Sequence, residues 1–270
     1  MIIAFWSITH GQVGNTVNTA AIASMLALEN NVKTLVCHSQ FANSILEKCF
    51  VPNKILEDDK MGAFSDRGID ALTRLAKNQK LTPNSVPDYT ISLLKDNRLD
   101  LLTGTEIKEK ELFENIIDVL SHIIEGANQF YDVVAIDVHS GLDNKITQTI
   151  LERADMIMVN LNQNKYLIEE FFEDETISAF LKNKKSIMNI SRYDKSSKYT
   201  LNNVSRKYKI KNITAVPYNV KFMDCCNEHK LLDYLIKNTL NKRKDEDYYF
   251  IESLRNACKK ILELTGYKEG

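Results

Sequence analysis

Short runs of apolar, often β-branched residues alternate along the chain with longer stretches in which apolar residues recur every three or four positions. The short runs predict strands, and the longer stretches predict amphipathic helices. We predict seven to eight strands, the clearest at residues 2–6, 34–37, 132–136, 156–159, 186–189 and 213–216, with a weaker one at 99–102. Helices are predicted at residues 16–28, 68–77, 106–128, 146–153, 165–181 and 248–264.

This order of elements predicts the fold class. Strands that alternate with helices of such length are typical of a parallel, twisted sheet covered by helices on both faces, an α/β fold. One face of the predicted helix at 106–128 is apolar and is expected to lie on the sheet; its residues are Leu112, Ile116, Val119, Leu120, Ile123 and Ile124. Single α/β domains commonly reach 270 residues, so we predict one domain over residues 1–270.

The composition is that of a folded protein, with 44% hydrophobic and 26% charged residues. A formal net charge of -1 gives no global attraction to nucleic acid or to an anionic membrane, so either partner needs a local patch. Two basic clusters, residues 182–185 and 206–211, are candidates for contact with DNA or an acidic protein. Clusters of this kind are more often a solvated face.

Cysteine usage and the length of the apolar runs bear on location. The five cysteines are irregularly spaced, which favours reduced thiols in a cytosolic protein over a disulfide framework. No run approaches the roughly 20 apolar residues that span a bilayer. We therefore expect a soluble cytoplasmic protein, or one with peripheral membrane contact.

The turn after the first predicted strand carries the candidate chemistry. Residues 7–16 read Ser-Ile-Thr-His-Gly-Gln-Val-Gly-Asn-Thr, and a helix of small residues follows them. The N–H groups of such a turn and of the helix N-terminus attract phosphates. Taken alone, the spacing G-x-x-G-x-T is equally compatible with an ordinary strand-to-helix turn in which Thr16 lies near the helix start.

The turn resembles the phosphate-binding loop of the ParA/MinD family, G/S-K-G-G-x-G-K-S/T, over residues 9–16. Gly11, Val13, Gly14 and Thr16 match that pattern. The resemblance implies a three-layer P-loop NTPase fold and a site for ATP. It implies nucleotide contacts from His10, Gly11, Gln12, Val13, Gly14, Asn15, Thr16 and Val17.

A second motif supports the resemblance. The predicted strand that ends at Asp137, with the turn that contains Gly141, is similar to the family's D-x-P-P-G motif. The resemblance implies that Asp137 and Thr16 hold Mg²⁺. Residues 151–159 are similar to the family's A-D-x-V-x-V passage.

Two late turns extend the resemblance over most of the chain, with residues 53–105 the least covered. Residues 189–194 resemble the family's V-N-x-Y-D turn, and residues 215–219 resemble its I-P-x-N/D strand end. These turns imply contacts to the nucleotide base from Ser191, Arg192, Pro217 and Tyr218.

Four positions depart from the family pattern. Asn15 replaces the phosphate-binding lysine, and His10 replaces the lysine that reaches across a dimer interface. The second strand is followed by His38 where the family has a water-positioning Asp, and Ser191 replaces a base-binding Asn. Removing two ammonium groups weakens charge compensation by several kcal/mol where water is excluded. We therefore expect turnover to suffer more than binding, and we assign no catalytic residue.

The altered loop and the order of motifs are most similar to the TadZ/CpaE branch, the localisation proteins of Tad-type pilus assembly. That resemblance implies a homodimer, with ATP and Mg²⁺ between subunits, which recruits pilus-assembly or secretion proteins to a cell pole at the inner face of the membrane. One alternative is a DNA-partition or conjugative-element factor that binds DNA nonspecifically. Another is an enzyme, either an ATPase with compensating residues or a ligase-like relative.

Overall fold

The structure is a computed structural model that describes residues 1–40, 44–52, 67–105, 116–240 and 244–267. Within these ranges eight strands form one sheet, in the order β3-β4-β2-β5-β1-β6-β7-β8. In chain order the strands are β1 (Ile2–Trp6), β2 (Thr34–His38), β3 (Ile91–Leu94), β4 (Leu99–Leu101), β5 (Val133–Asp137), β6 (Met156–Leu161), β7 (Lys185–Tyr193) and β8 (Ile213–Pro217).

Helices connect and cover these strands. Across the described ranges they are α1 (Asn15–Glu29), α2 (Ile45–Phe50), α3 (Gly68–Lys77), α4 (Ile117–Phe130), α5 (Lys145–Arg153), α6 (Lys165–Glu173), α7 (Glu175–Leu181), α8 (Leu201–Tyr208), α9 (Val220–Asn227), α10 (Leu231–Asn238) and α11 (Tyr248–Thr265). Two 3-10 turns, Pro83–Ser85 and Pro87–Tyr89, precede β3.

The pairing of the strands confirms the predicted mostly parallel α/β sheet. Neighbouring strands are parallel throughout, apart from the antiparallel pair of β3 and β4 at one edge. The central strand β1 lies between β5 and β6. The carboxyl ends of β1, β2, β5, β6 and β7 therefore lie at the same end of the sheet, where open α/β folds bind their ligands.

Apolar residues of the sheet face two cores, one on each side. Along β1, Ile3 and Phe5 pack into the core that contains α1 and α11, while Ala4 and Trp6 pack into the core that contains α4 and α5. This alternation follows from the two-residue period of a strand. Helices on both faces thus exclude water from the whole central strand, as the predicted fold class requires.

The closing helix α11 packs on α1 and β8 instead of projecting from the molecule. Its buried face includes Phe250, Ile251 and Leu254. Among the described residues, no helix is both long enough and apolar enough to cross a bilayer.

Two predicted helices differ from the structure. The region 165–181 forms α6 and α7, which are separated at Asp174 because its carboxylate caps α7 by accepting from Thr176 N at 2.8 Å and Ile177 N at 3.0 Å. The region 106–128 contains α4, which begins at Ile117 and runs to Phe130. Leu112 and the rest of 106–115 lie outside the described residues.

Candidate functional site

The turn between β1 and α1 has the backbone of an anion-binding loop. Gly11 and Gly14 have φ values of 74° and 64°, a left-handed conformation that side chains disfavour. Gly14 occupies the N-cap position of α1, where it provides no side chain to accept from the first N–H groups. Those N–H groups and the positive end of the helix dipole are therefore free to bind a phosphate.

The turn after β5 is hydrogen-bonded to this loop and to the end of β1. The Trp6 indole Nε1 donates to the Gly141 carbonyl at 2.9 Å, and the Ser140 hydroxyl donates to the Thr9 carbonyl at 3.1 Å. The rings of His10 and His139 stack, with centroids 5.9 Å apart. The two motifs that the sequence identified are thus one structural unit.

A pocket of about 280 Å³ opens over the loop. Its lining includes most of the predicted loop residues together with the predicted metal ligands. The lining residues are Thr9, His10, Gly11, Val13, Gly14, Asn15, Thr16, Val17, Gln40, Ile45, Asp137, Val138, Ser140, Arg192 and Met223.

Four predicted nucleotide contacts lie outside this lining. Gln12 is exposed, and its carbonyl accepts from Asn162 Nδ2 at 3.5 Å. The Ser191 side chain is turned into the interior, and the residue is 1% exposed. Pro217 is buried at the end of β8, and Tyr218 projects from it with 58% of its surface exposed. Their contacts to a nucleotide stay predictions.

Asp137, the predicted metal ligand, is fully buried at the end of β5. Its Oδ2 accepts from the Thr16 hydroxyl at 2.7 Å and from Gln40 Nε2 at 3.3 Å, and its Oδ1 accepts from Asn15 Nδ2 at 2.6 Å. Burial raises the pKa of this carboxyl above its ordinary value, and the hydrogen bonds oppose that rise only in part. Thr16 and Asp137 lie together as the sequence predicted.

Asn15, at the position of the family's lysine, is committed to the protein interior. One Nδ2 hydrogen goes to Asp137 Oδ1, and the other goes to the Phe5 carbonyl at 2.8 Å. Its Oδ1 accepts from Asn160 Nδ2 at 2.6 Å. A primary amide has two N–H donors, so none is left for a phosphate.

Asn15 is the first member of a chain of neutral polar groups beneath the loop. Asn160 Oδ1 accepts from Asn18 Nδ2 at 3.1 Å and from Asn189 Nδ2 at 2.8 Å. Asn18 Nδ2 also donates to the Ser191 hydroxyl at 2.7 Å. The Thr214 hydroxyl on β8 continues the chain by donating to Asn189 Oδ1 at 3.1 Å.

We call Asn15, Asn18, Asn160, Asn189, Ser191 and Thr214 the amide network. The network joins α1 to β6, β7 and β8, and all its members except Asn15 are buried. Asn18, Asn160 and Asn189 were not predicted as site residues from the sequence. The available signal was an asparagine inside each of two apolar strands, but only the register that pairs Asn160 with Asn189 reveals them as partners.

Among the described residues that line the pocket, Arg192 is the only one with a lysine or arginine side chain. It lies at an irregularity in the pairing of β7 with β8, between Ser191 and Tyr193, with a left-handed φ of 51°. Non-glycine residues seldom adopt this conformation, which occurs often at ligand-binding positions. The side chain is exposed and makes no ion pair with a described acidic residue.

The end of β2 contains no carboxylate directed at the pocket in the described residues. His38 Nδ1 accepts from the Gln40 N–H at 3.2 Å, which leaves Nε2 to donate to Glu47 Oε1 at 3.2 Å. Gln40 is the side chain from this region that reaches the pocket. An amide orients water but cannot remove its proton.

The donor set fits ATP with Mg²⁺ in part. The left-handed glycines and the uncapped start of α1 fit a phosphate. Hydroxyl and carboxylate oxygens, as in Thr16 and Asp137, suit Mg²⁺. Positions 10 and 15 provide no ammonium group. Within the described ranges, no cluster of three or more His, Cys, Asp or Glu residues forms a separate metal site.

The sheet order, together with a glycine-containing turn between the central strand and α1, defines a P-loop type of α/β fold. Solved structures of ParA/MinD ATPases share this fold. A ParA family ATPase from Chlorobium tepidum TLS superposes with a TM-score of 0.72 at 13% identity, over 96% of this chain and 98% of the other. The sequence itself matches no protein-family model and no curated protein.

Two nucleotide-bound structures show the same likeness. MinD from Pyrococcus horikoshii OT3, complexed with Mg-ADP, has a TM-score of 0.69 at 13% identity, over 98% of this chain and 97% of the other. A putative plasmid partition protein from Borrelia burgdorferi B31, bound to AMPPNP, has a TM-score of 0.66 at 15% identity, over 97% and 98%. At these identities the likeness establishes the fold.

Proposed function

We propose that this protein is a ParA/MinD-like nucleotide-binding protein that binds ATP with Mg²⁺ and turns it over poorly or not at all. The observation that carries the proposal is the hydrogen bonding of Asn15. Both of its amide hydrogens are used inside the protein, so the side chain that replaces the lysine cannot neutralise a phosphate. Losing one preorganised donor to a transition-state charge costs roughly 3 kcal/mol, or about a hundredfold in rate.

The remaining residues support binding. The N–H groups of the loop and of the first turn of α1 hold the phosphates. Thr16 and Asp137 hold Mg²⁺, which when bound offsets phosphate charge. Arg192 supplies a cation from the lining of the pocket. The described lining contains no free carboxylate, because Asp137 is its one acidic residue and is engaged by three donors.

As a role for this site we propose a homodimeric localisation factor or scaffold of the TadZ/CpaE type, formed by one domain over residues 1–270. It associates through the face that carries the loop and recruits pilus-assembly or secretion proteins at a pole of the cytoplasm, with at most peripheral membrane contact. Support comes from the altered loop and from a fold also found in the MinC:MinD cell division complex of Aquifex aeolicus.

A DNA-partition factor is the second candidate. It is favoured by the fold shared with a plasmid partition protein and by the basic clusters at 182–185 and 206–211. Nonspecific DNA binding through lysines weakens steeply with salt. A gel shift with duplex DNA that is lost between low and moderate salt would favour this candidate, and no shift at low salt would exclude it.

Calorimetric titration with ATP and Mg²⁺, combined with light scattering, tests the main proposal. We expect saturable binding, ATP-dependent dimers, and steady-state phosphate release no faster than that of Asp137→Ala. Release well above that control would mean that the loop is compensated and that the protein is a working ATPase. Absence of ATP binding, or equal dimerisation without nucleotide, would exclude a nucleotide-dependent switch.

A further inference from the structure

A groove of about 320 Å³ lies at the end of the sheet opposite the loop. It is bounded by α7, by the start of β7 and by the connection from α8 to β8. Its lining residues are Val159, Phe171, Phe172, Ile177, Ser178, Leu181, Lys182, Ser186, Met188, Ile210, Lys211 and Asn212. The volume is at the lower end of the roughly 300–1,000 Å³ typical of ligand sites.

The floor of the groove is apolar. Val159 and Met188 project from the sheet, and Phe171 and Ile177 project from α6 and α7. At one side Phe172 stacks on Tyr208, with ring centroids 4.1 Å apart. These side chains offer a preformed surface to an apolar group.

The rim is basic because the two basic clusters of the sequence meet here. One cluster leads into β7 and the other precedes β8. These strands are parallel neighbours, and Met188 N within β7 donates to the Asn212 carbonyl just before β8 at 2.9 Å. Lys182 and Lys211 line the groove directly, and Lys185 and Lys209 flank them in the sequence.

These four lysines are available for a partner. All are exposed, and none forms an ion pair with a described acidic residue. Two other lysines of these clusters differ, and the first of them, Lys207, pairs with Glu169 at 2.9 Å. The Lys184 ammonium is held by the Glu152 and Ala154 carbonyls. No acidic residue is among those that line the groove.

We propose that this groove binds an acidic amphipathic segment of a partner protein, whose apolar side chains enter the floor while its carboxylates meet the lysine rim. Charge complementarity selects an acidic partner, and the apolar floor selects one with hydrophobic side chains at regular spacing. DNA matches the rim but not the floor, because a phosphate backbone has no apolar group to place there. The proposal is independent of nucleotide binding at the loop.

The test uses the full chain and a fluorescein-labelled 16-residue peptide with Leu or Phe at every third or fourth position and Glu elsewhere. We expect a saturable rise in anisotropy, and about tenfold weaker binding with the double variant K182E/K211E. The matched control K77E/K80E reverses two exposed lysines of α3 and its following loop, and should bind as the wild type does.

A second pair of variants tests the apolar floor without altering charge. Ser178→Trp places a ring in the groove, whereas Ala179→Trp places the same ring on the next exposed position, which does not line it. We expect Ser178→Trp to abolish peptide binding and Ala179→Trp to leave it unchanged. Circular dichroism before each titration confirms that the variants are folded.

Three results would overturn the proposal. The peptide does not bind the wild type, or a peptide of the same composition in scrambled order binds equally well. The third is that Ser178→Trp binds the peptide as well as Ala179→Trp does, while a 20-base-pair DNA duplex binds the wild type but not K182E/K211E. The last result would identify the lysines as an electrostatic patch for nucleic acid.

Discussion

At the residue scale, the Asn15 side chain has a structural role at the start of α1. Its amide connects Phe5 of β1, Asp137 of β5 and Asn160 of β6. Buried polar groups that lose a partner cost about 1–3 kcal/mol each. The side chain therefore contributes to the free energy of unfolding more than to nucleotide binding.

We expect Asn15→Ala to lower the free energy of unfolding by about 1–3 kcal/mol, because Asn160 Nδ2 loses its acceptor and Asp137 Oδ1 loses its donor. We expect ATP affinity to change by less than about twofold, or ~0.4 kcal/mol, since the amide has no hydrogen free for a phosphate. Urea unfolding and calorimetry measure the two effects, with Asn202→Ala at an exposed position of α8 as control. A large loss of ATP affinity at unchanged stability would show that Asn15 contacts the nucleotide.

Arg192 gives the opposite expectation. Arg192→Gln should weaken ATP binding about tenfold, since a guanidinium–phosphate contact is charge-assisted. Adenosine affinity should stay the same, because adenosine carries no phosphate. Lys195→Gln, which removes a nearby cation that lies over the Tyr249 ring and not in the pocket lining, is the matched control. Equal losses for ATP and adenosine would place Arg192 at the base instead.

Asp137 should make stability depend on pH in an unusual direction. Burial raises the pKa of its carboxyl, so the folded chain binds this proton more tightly than the unfolded chain does. Its contribution is then fully present below the unfolded pKa and is lost as the pH rises through the folded pKa.

Relative to Asp137→Asn, the wild type should therefore gain free energy of unfolding as the pH is lowered from 7 towards 4. Urea unfolding of both proteins across this range measures the difference, with Asp143→Asn on the exposed turn as control. A difference that stays constant with pH would mean that the carboxyl is not perturbed by its burial.

At the scale of elements, most strands of the parallel core could be predicted, whereas the edge strand β3 and several helices could not. The central strands β1, β5 and β6 each contain a continuous apolar run, which makes their signal independent of the strands they pair with. Helices α9 and α10 have 8 residues each, which is too short for a helical period to be recognised in the sequence. The break at Asp174 was missed because apolar residues continue at helical spacing on both sides.

That break has a measurable energy. Asp174→Ala should lower the free energy of unfolding by about 1 kcal/mol, as expected for an N-cap that accepts from two backbone N–H groups. Glu173→Ala, one residue earlier and exposed, should leave it nearly unchanged. Chemical unfolding compares the two variants, and equal effects would argue against capping.

The candidate site divides in the same way between predictable and unpredictable parts. The loop, Thr16 and Asp137 could be singled out from local sequence alone. The glycine-containing turn and the apolar strand that ends in Asp137 are each recognisable without knowing which residues they contact. The amide network could not be predicted, since Asn160 and Asn189 meet only through the register of β6 and β7. Arg192 was predicted from a turn motif, whereas its unusual φ comes from an irregularity in strand pairing.

At the scale of the whole molecule, a net charge of -1 conceals two different ends of the sheet. The pocket at the loop end is lined mainly by neutral groups. Arg192 is the only lysine or arginine among its described lining residues. The opposite end carries Lys182, Lys185, Lys209 and Lys211 around an apolar groove. One end suits a nucleotide, and the other suits a partner of opposite charge.

Because the two sites lie at opposite ends of the strands, they should bind independently. We expect K182E/K211E to bind ATP within about twofold of the wild type, ~0.4 kcal/mol, since surface charges more than a Debye length apart are screened. Calorimetry at 0.15 M salt measures this affinity. A marked change in it would reveal coupling through the sheet between the groove and the loop.

The hydrogen bonds of Asn15 also bear on which mutations position 15 can accept. Asparagine and lysine codons differ by a single base, so Asn15→Lys is within reach of one mutation. Such a lysine would bring a charge to the loop but would leave Asn160 Nδ2 without its acceptor inside the fold. A charged loop would then require further substitutions among the buried partners of Asn15, which makes the single mutation alone an unfavourable step.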